Sequence, residues 1–168
     1  MPRATARPSM GAADHGGVRV PIRIVLADDH VSFRTSLRAL LDCEPEMRVV
    51  AEFGDGAALV DAFREGRFRP PPDLIVMDVA MPKVGGIEAT RRIAALEPGI
   101  RILAASMHDD ANFVRGMIDA GAHGYALKGE SLQELLRAIR EVAAGGTYFS
   151  ASIAGVATAR IARGAPAG

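Results

Sequence analysis

Three acidic residues, one hydroxyl and one amine stand at the ends of short apolar runs in this sequence. Asp28 and Asp29 follow the run IRIVLA, and Asp78 closes the run LIVMD. Ser106 closes RILAAS, and Lys128, one of only two lysines in the chain, follows GYAL. Carboxylates that lie close together repel one another unless a cation lies between them, and Mg²⁺ prefers such oxygen ligands. The set therefore predicts a magnesium site if the fold brings these residues together.

The same residue types have the chemistry of phosphoryl transfer. A carboxylate such as that of Asp78 can act as a nucleophile toward phosphorus and form an aspartyl phosphate. A metal ion neutralises the incoming charge, while an amine and a hydroxyl bind the remaining phosphoryl oxygens. An isolated aspartate after a strand more often caps a helix or forms a turn. The prediction therefore rests on the whole set of residues and not on any single one.

The elements that must position these residues alternate along the chain. Short apolar runs indicate strands at 22–27, 47–53, 74–78, 101–106 and 124–127. Apolar residues recur at helical spacing between the runs, and Ser131 and Glu134 form a capping box before the last helix. This alternation predicts an α/β fold, a flavodoxin-like (βα)5 doubly wound parallel sheet with strand order 2-1-3-4-5. Ligands bind at the carboxyl ends of the strands in such sheets, which is where the candidate residues stand.

Length and composition indicate one compact domain. The chain has 168 residues, of which 49% are apolar, and 20 basic residues balance 20 acidic ones. A neutral chain has no general electrostatic attraction to nucleic acid or to an anionic membrane. Because Cys43 is the only cysteine, an internal disulfide bond is excluded.

The two ends of the chain differ in composition from its middle. Residues 1–20 are small and polar without a continuous apolar stretch, so we expect a disordered tail and no secretory signal. No apolar run approaches the roughly 20 residues of a membrane span, and we therefore predict a cytoplasmic protein with no membrane partner. The predicted domain covers residues 21–146. Residues 147–168 are rich in alanine and glycine, and we expect a C-terminal tail or a truncated linker.

Four segments resemble the receiver domains of bacterial response regulators in two-component signalling. They are ADDH, MDVAMP followed by a glycine pair, SMHDD and AGAHGYALK. The likeness covers residues 22–146, and the first three segments resemble the NarL/FixJ subfamily in particular. It implies that a sensor histidine kinase phosphorylates Asp78, with Mg²⁺ as cofactor. It also implies that the protein is a switch and not a turnover enzyme.

The resemblance assigns metal ligands around Asp78. Asp29 would bind Mg²⁺ directly, and Asp28 would support the ion through water. Asp78 and the backbone carbonyl of Ala80 would complete the protein ligands.

The resemblance also assigns three residues that would respond to phosphorylation. Ser106 matches the switch hydroxyl that moves toward the phosphoryl group, and Lys128 matches the amine that pairs with its oxygens. Tyr125 matches the switch aromatic, which changes rotamer as the hydroxyl is drawn inward. Considered without the family, a tyrosine on a strand is more often half-buried with its hydroxyl in water.

The chain departs from the family's pattern in two places. Gly129 follows Lys128 where most members have Pro or Asp, so the cis bond of many members, which depends on that proline, is unavailable. NarL/FixJ members normally continue into a helix-turn-helix domain, whereas residues 147–168 are too few to form one. An alternative is therefore the receiver part of a DNA-binding regulator whose LuxR-type output domain is missing from this chain. DNA would be a partner only through such a domain, and a homodimer is expected by analogy alone.

Two other functional classes fit the residues less well. Phosphatases of the haloacid dehalogenase type also use a strand-end aspartate, but they need a second aspartate two positions later, where this chain has Ala80. A flavodoxin-like cofactor binder needs a glycine-rich phosphate loop after its first strand. Asp28 and Asp29 occupy that place and would repel a phosphate.

Overall fold

All the strands predicted from the sequence form. In a computed structural model, which describes residues 19–164, the strands are β1 (Ile22–Ala27), β2 (Met47–Phe53), β3 (Leu74–Met77), β4 (Arg101–Ser106) and β5 (Gly124–Leu127). The strand β3 is one residue shorter than predicted and stops before Asp78. The backbone N–H of Asp78 nevertheless donates to the Ala27 carbonyl at 2.8 Å, so this residue is still fixed to the end of β1.

Helices separate these strands and cover both faces of the sheet. They are α1 (Val31–Leu41), α2 (Gly56–Arg64), α3 (Gly86–Leu96), α4 (Ala111–Ala120) and α5 (Leu132–Ala143). The apolar sides of α1 and α5 pack on one face, with Leu41 and Ile139 fully buried. The apolar sides of α2, α3 and α4 pack on the other face, where Ile93 and Met117 are fully buried. The sheet is therefore doubly wound, as predicted.

The order and register of the strands decide which residues meet. The sheet runs β2-β1-β3-β4-β5 with one further strand beyond β5, and every neighbouring pair is parallel. Ala27 pairs with Met77, and Met77 pairs with Ala104. Ser106 pairs with Leu127, and its carbonyl accepts a hydrogen bond from the Lys128 N–H at 2.8 Å. The candidate residues consequently emerge along one edge of the sheet, and the predicted fold class and strand order are confirmed.

Side chains and glycines define several helix ends. Ser131 accepts a hydrogen bond from the Glu134 N–H at 3.3 Å, which is one half of the predicted capping box. Asp110 caps α4 in the same way through the Asn112 N–H at 2.7 Å. Gly121 ends α4 with φ of 110°, a left-handed conformation that favours glycine.

The described part of the segment expected to be a tail or linker folds onto the domain. Here the chain forms β6 (Tyr148–Phe149) and α6 (Ala154–Gly164). The strand β6 is parallel to β5, and Ile153 and Ala157 are buried in the core that contains α4. Burial of Tyr148 and Ile153 against distant elements of the fold stabilises this arrangement, because it removes their large apolar surfaces from water. The predicted N-terminal tail lies outside the described residues except for its last two, and the domain boundaries themselves stay a prediction.

Within residues 19–164, no helix combines the length and apolarity that crossing a membrane would require.

Candidate functional site

An acidic pocket lies at the carboxyl ends of β1 and β3. Asp28 and Asp78 are 4% and 3% exposed, whereas Asp29 is exposed at the rim. One ligand atom from each of these three aspartates and from His30 lies within 4.8 Å of all the others. Burial of two carboxylates is costly unless a cation or hydrogen bonds compensate it. The cluster could therefore hold a metal ion.

Lys128 closes the pocket from the end of β5. Its Nζ lies 2.5 Å from Asp28 Oδ2 and 3.4 Å from Asp78 Oδ2, and its side chain is only 3% exposed. The Phe33 ring from α1 lies against this ammonium, 4.5 Å from Nζ to the ring centroid. The bond between Lys128 and Gly129 is trans, because the described residues have one cis peptide bond and it precedes Pro70. The Lys128 amine thus reaches the pocket without the cis peptide bond that many receiver domains have after this lysine.

The electrostatics of Asp78 reflect two buried carboxylates that share one ammonium. Burial and then the nearby Asp28 raise the pKa of the Asp78 carboxyl, while Lys128 and the Ala80 N–H oppose that shift. Asp78 Oδ2 and Lys128 Nζ are both buried, and neither makes a hydrogen bond. These two atoms of opposite charge lie 3.4 Å apart. A cation could bind the carboxylate oxygen of Asp78, and acceptor oxygens such as those of a phosphoryl group could bind the ammonium of Lys128.

Ser106 and Tyr125 are linked through the loop after β4. Ser106 Oγ accepts a hydrogen bond from the His108 N–H at 3.0 Å. The Tyr125 hydroxyl donates to the His108 carbonyl at 2.7 Å. Both side chains are fully buried, so the general expectation of a half-buried tyrosine with its hydroxyl in water is wrong here. The backbone N–H and carbonyl of His108 therefore connect the predicted switch hydroxyl, Ser106, with the predicted switch aromatic, Tyr125.

The loop after β3 passes very close to Asp78. The Gly86 N–H, at the start of α3, donates to the Val79 carbonyl at 2.8 Å. A Cβ at position 86 would lie 2.0 Å from the Asp78 carbonyl oxygen, closer than any real contact. Ala80 is exposed in this loop. Glycine at position 86 therefore lets the loop close over the backbone of Asp78.

The structure brings four of the predicted residues together directly. Asp28, Asp29 and Asp78 share the acidic cluster, and Lys128 contacts two of them. Ser106 stands at the end of the neighbouring strand β4 with its hydroxyl engaged by His108. The roles assigned to these residues and to Ala80 stay predictions.

Two contributors to the pocket were missed by sequence reasoning. His30 places Nδ1 3.2 Å from Asp28 Oδ1, and Phe33 packs against Lys128. The position of His30 directly after two aspartates was a usable signal. Phe33 offered none, because a helical phenylalanine normally predicts only core packing.

Comparison with known proteins agrees with this geometry. A family model for the response regulator receiver domain matches residues 24–140. The chain is 41% identical over 128 residues to the transcriptional regulatory protein DegU of Brevibacillus brevis, which covers 76% of this chain and 52% of that protein. It is 35% identical over 133 residues to the response regulator GacA of Pseudomonas aeruginosa, covering 79% and 60%. The chain thus spans between about half and three fifths of the length of these curated relatives.

Solved structures give the same result. A two-component response regulator of the LuxR family from Aurantimonas sp. SI85-9A1 superposes with a TM-score of 0.74 and 37% identity. The alignment covers 84% of this chain and 99% of that one. The fold, the acidic pocket and these similarities agree: the chain belongs to the family of response-regulator receiver domains.

Proposed function

We propose that Asp78 accepts a phosphoryl group from a sensor histidine kinase in a reaction that requires Mg²⁺. The observation that carries this proposal is the pair of buried, unsatisfied atoms Asp78 Oδ2 and Lys128 Nζ, 3.4 Å apart. A carboxylate oxygen of Asp78 would form the new P–O bond as the P–N bond of a phosphohistidine breaks. The protein would be modified once per cycle and would act as a switch, not as a turnover enzyme.

The acidic cluster supplies the place for the metal ion. Asp28, Asp29, Asp78 and the backbone carbonyl of Ala80 would hold Mg²⁺, which prefers oxygen ligands and shares phosphate oxygens. The ion would offset the negative charge brought by the phosphoryl group. The ammonium of Lys128 lies between the two buried carboxylates, and it would turn from them to the phosphoryl oxygens.

The link through His108 suggests how the signal leaves the site. Ser106 would donate its O–H to a phosphoryl oxygen, and a movement of the side chain toward that oxygen would stretch or break the hydrogen bond that Oγ accepts from the His108 N–H. The loop that carries His108 is then free to move, and its carbonyl is the acceptor for Tyr125. A shift there would alter the face that α4 and β5 form together with β6 and α6, and it would bias an existing equilibrium toward an active form. A homodimer and a separate output protein are the partners we propose for that surface.

Labelling with a small phosphodonor tests the phosphoacceptor. The intact protein with Mg²⁺ should gain one phosphoryl group, measured by mass spectrometry near neutral pH, and treatment with alkali should remove it. Asp78→Asn should gain none. Asp61→Asn is a matched control, because this aspartate is exposed on α2 and does not belong to the acidic cluster, and it should label normally. Labelling that persists in Asp78→Asn would assign the acceptor to another residue.

A second candidate function is the receiver part of a DNA-binding regulator with a LuxR-type output domain. It is favoured by the relative named as a transcriptional regulatory protein, of which this chain spans 52%. Sequencing the gene beyond the codon for Gly168 tests it, since a helix-turn-helix segment is expected there. In either case the location that we propose for the protein is the cytoplasm.

A further inference from the structure

The His30 ring lies over the acidic pocket, but the proposed Mg²⁺ ligands are all oxygen atoms and do not include it. Its Nδ1 is 3.2 Å from Asp28 Oδ1, 3.3 Å from Asp29 Oδ1 and 3.7 Å from Asp78 Oδ2. The side chain is 59% exposed, so the ring reaches the pocket from the solvent side. A nitrogen donor therefore stands beside all three carboxylates at once.

Helix capping does not account for the position of this ring. His30 is the residue before α1, and its side chain makes no capping hydrogen bond. The turn is instead fixed by the backbone, because the His30 N–H donates to Asp28 Oδ1 at 2.8 Å. Charge compensation of Asp28 is already supplied on its other oxygen, Oδ2, by Lys128. His30 Nδ1 also lies 3.2 Å from Asp28 Oδ1, a hydrogen bond that forms only when Nδ1 carries the proton; in the other tautomer the Nδ1 lone pair is available to an ion.

The spacing of the donor atoms suits a shared ion. Adjacent ligands of an octahedral ion with bonds of about 2.1 Å lie about 3 Å apart. Two of the distances from His30 Nδ1, 3.2 and 3.3 Å, are near that value, and the third, to Asp78 Oδ2, is longer at 3.7 Å. A separate observation also points to a ligand, because Asp78 Oδ2 belongs to a carboxylate that is 3% exposed, and it has no hydrogen-bond partner.

We propose that His30 is a further metal ligand and that it shifts the preference of the pocket from Mg²⁺ toward first-row transition ions. Mg²⁺ binds oxygen donors and retains its water, so an imidazole adds little to its affinity. Imidazole is a good ligand for transition ions, whose affinity for nitrogen and oxygen sites rises from Mn²⁺ through Fe²⁺, Co²⁺ and Ni²⁺ to Cu²⁺. The inference rests on the proposed metal site of Asp28, Asp29 and Asp78, but it does not depend on phosphorylation.

Electron paramagnetic resonance on the full chain with Mn²⁺ alone tests this inference. The free ion gives a six-line spectrum that weakens on binding, which yields the dissociation constant, and Mg²⁺ competition yields the second constant. Pulsed measurements then detect coupling from a coordinated nitrogen. We expect that coupling in the native protein, its loss in His30→Ala, and a weakening of Mn²⁺ binding of about threefold to tenfold, since Mn²⁺ is the first-row ion with the lowest affinity for such sites, with the Mg²⁺ constant changed less than about twofold.

His108→Ala is the matched control, because His108 is another exposed histidine near the pocket, and the nitrogen coupling should survive this change. Coupling that is absent from the native protein, or that persists in His30→Ala, would overturn the assignment. Equal losses of Mn²⁺ and Mg²⁺ affinity in His30→Ala would also overturn it, since they would indicate a general electrostatic effect. Phosphodonor labelling with Mg²⁺ is measured separately, so failure of the nitrogen ligand and failure of the phosphoacceptor give different results.

Discussion

At the scale of single residues, the pocket depends on a buried amine. Lys128 lies under the Phe33 ring and against two carboxylates that water barely reaches. A charge in such surroundings acts more strongly than one on the surface, because screening by solvent is small. The geometry therefore predicts that removing the Lys128 ammonium affects the pocket far more than removing a lysine from the surface would.

We expect Lys128→Met to slow phosphorylation of Asp78 by a small phosphodonor by roughly 100-fold or more, the usual effect of removing one preorganised charge donor. A labelling time course at fixed Mg²⁺ measures the rate. Lys83→Met is the matched control, because Lys83 is the other lysine of the chain and its side chain is 69% exposed beside Asp55. A rate for Lys128→Met equal to that of the control would remove the amine from the mechanism.

Gly86→Ala should destabilise the fold even though alanine is the better helix residue. A Cβ there meets the Asp78 carbonyl oxygen at 2.0 Å, so backbone has to move. We expect a loss of roughly 2–4 kcal/mol in the free energy of unfolding, against a gain of up to about 1 kcal/mol from helix propensity. Urea unfolding followed by circular dichroism measures it. Gly99→Ala, with nothing within 4 Å, is the control and should cost little.

Sequence reasoning located the aspartates and the lysine because strand ends can be read from apolar runs. It did not predict that the Tyr125 hydroxyl bonds to the His108 carbonyl, since that contact joins residues 17 positions apart through a loop conformation. The angle of a side chain after a strand depends on packing that no local pattern encodes. Residue types at the site were therefore predictable, and their hydrogen-bond partners were not.

At the scale of elements, β4 and β5 are joined by a histidine as well as by their backbones. The Ile102 N–H donates to His123 Nδ1 at 3.1 Å, and the His123 N–H donates to the Ile102 carbonyl at 2.8 Å. Burial, and then the charge of Arg101, lower the pKa of the His123 imidazole. His123 Nδ1 can accept this hydrogen bond only when it carries no proton, so the pairing of these strands favours the neutral imidazole.

This arrangement predicts a loss of stability on acidification. The folded-state pKa of His123 lies below the unfolded value of about 6.5, so its contribution is present above that pH and is lost as the pH falls through the folded-state pKa. Urea unfolding at pH 7.5 and at pH 5.5 should give a smaller pH difference for His123→Asn than for the native chain. His108→Asn is the control and should keep the native difference. An unchanged difference in His123→Asn would refute the linkage.

The five main strands followed from apolar runs, whereas β6 and α6 did not. β6 has only two residues, Tyr148 and Phe149, and a run that short gives no periodicity to read. The residues around α6 are mostly alanine and glycine, which indicate a linker more than a packed helix. Burial of Ile153 and Ala157 against α4 is a tertiary effect that overrides this composition.

At the scale of the whole molecule, the C-terminal segment completes the side of the domain next to α4. Ser150 Oγ accepts the Leu127 N–H at 2.9 Å, and the Ser150 N–H donates to the Tyr125 carbonyl at 3.1 Å. Arg160 Nε lies 2.6 Å from Asp119 Oδ1 on α4. The segment is therefore attached to the strand that carries the predicted switch aromatic.

Ending the chain after Gly146 should lower the free energy of unfolding by roughly 2–5 kcal/mol, because Ile153 and its neighbours no longer cover the core. Arg160→Ala is a control within the same segment and should cost less than about 1 kcal/mol, since that ion pair is partly exposed. Circular dichroism during urea titration compares the three proteins. Equal stability of the shortened and full chains would mean that the last strand and helix contribute nothing to the fold.

The hydrogen bond of Tyr125 has a practical consequence for spectroscopy. The chain has no tryptophan and only two tyrosines, so its ultraviolet emission comes from Tyr125 and Tyr148. The Tyr148 hydroxyl donates to Glu134 at 2.8 Å, and Tyr148→Phe would leave a single emitter at the heart of the protein. That emitter touches the loop that carries His108, and its intensity and lifetime would follow movements there without any attached dye. The receiver thus contains its own optical probe.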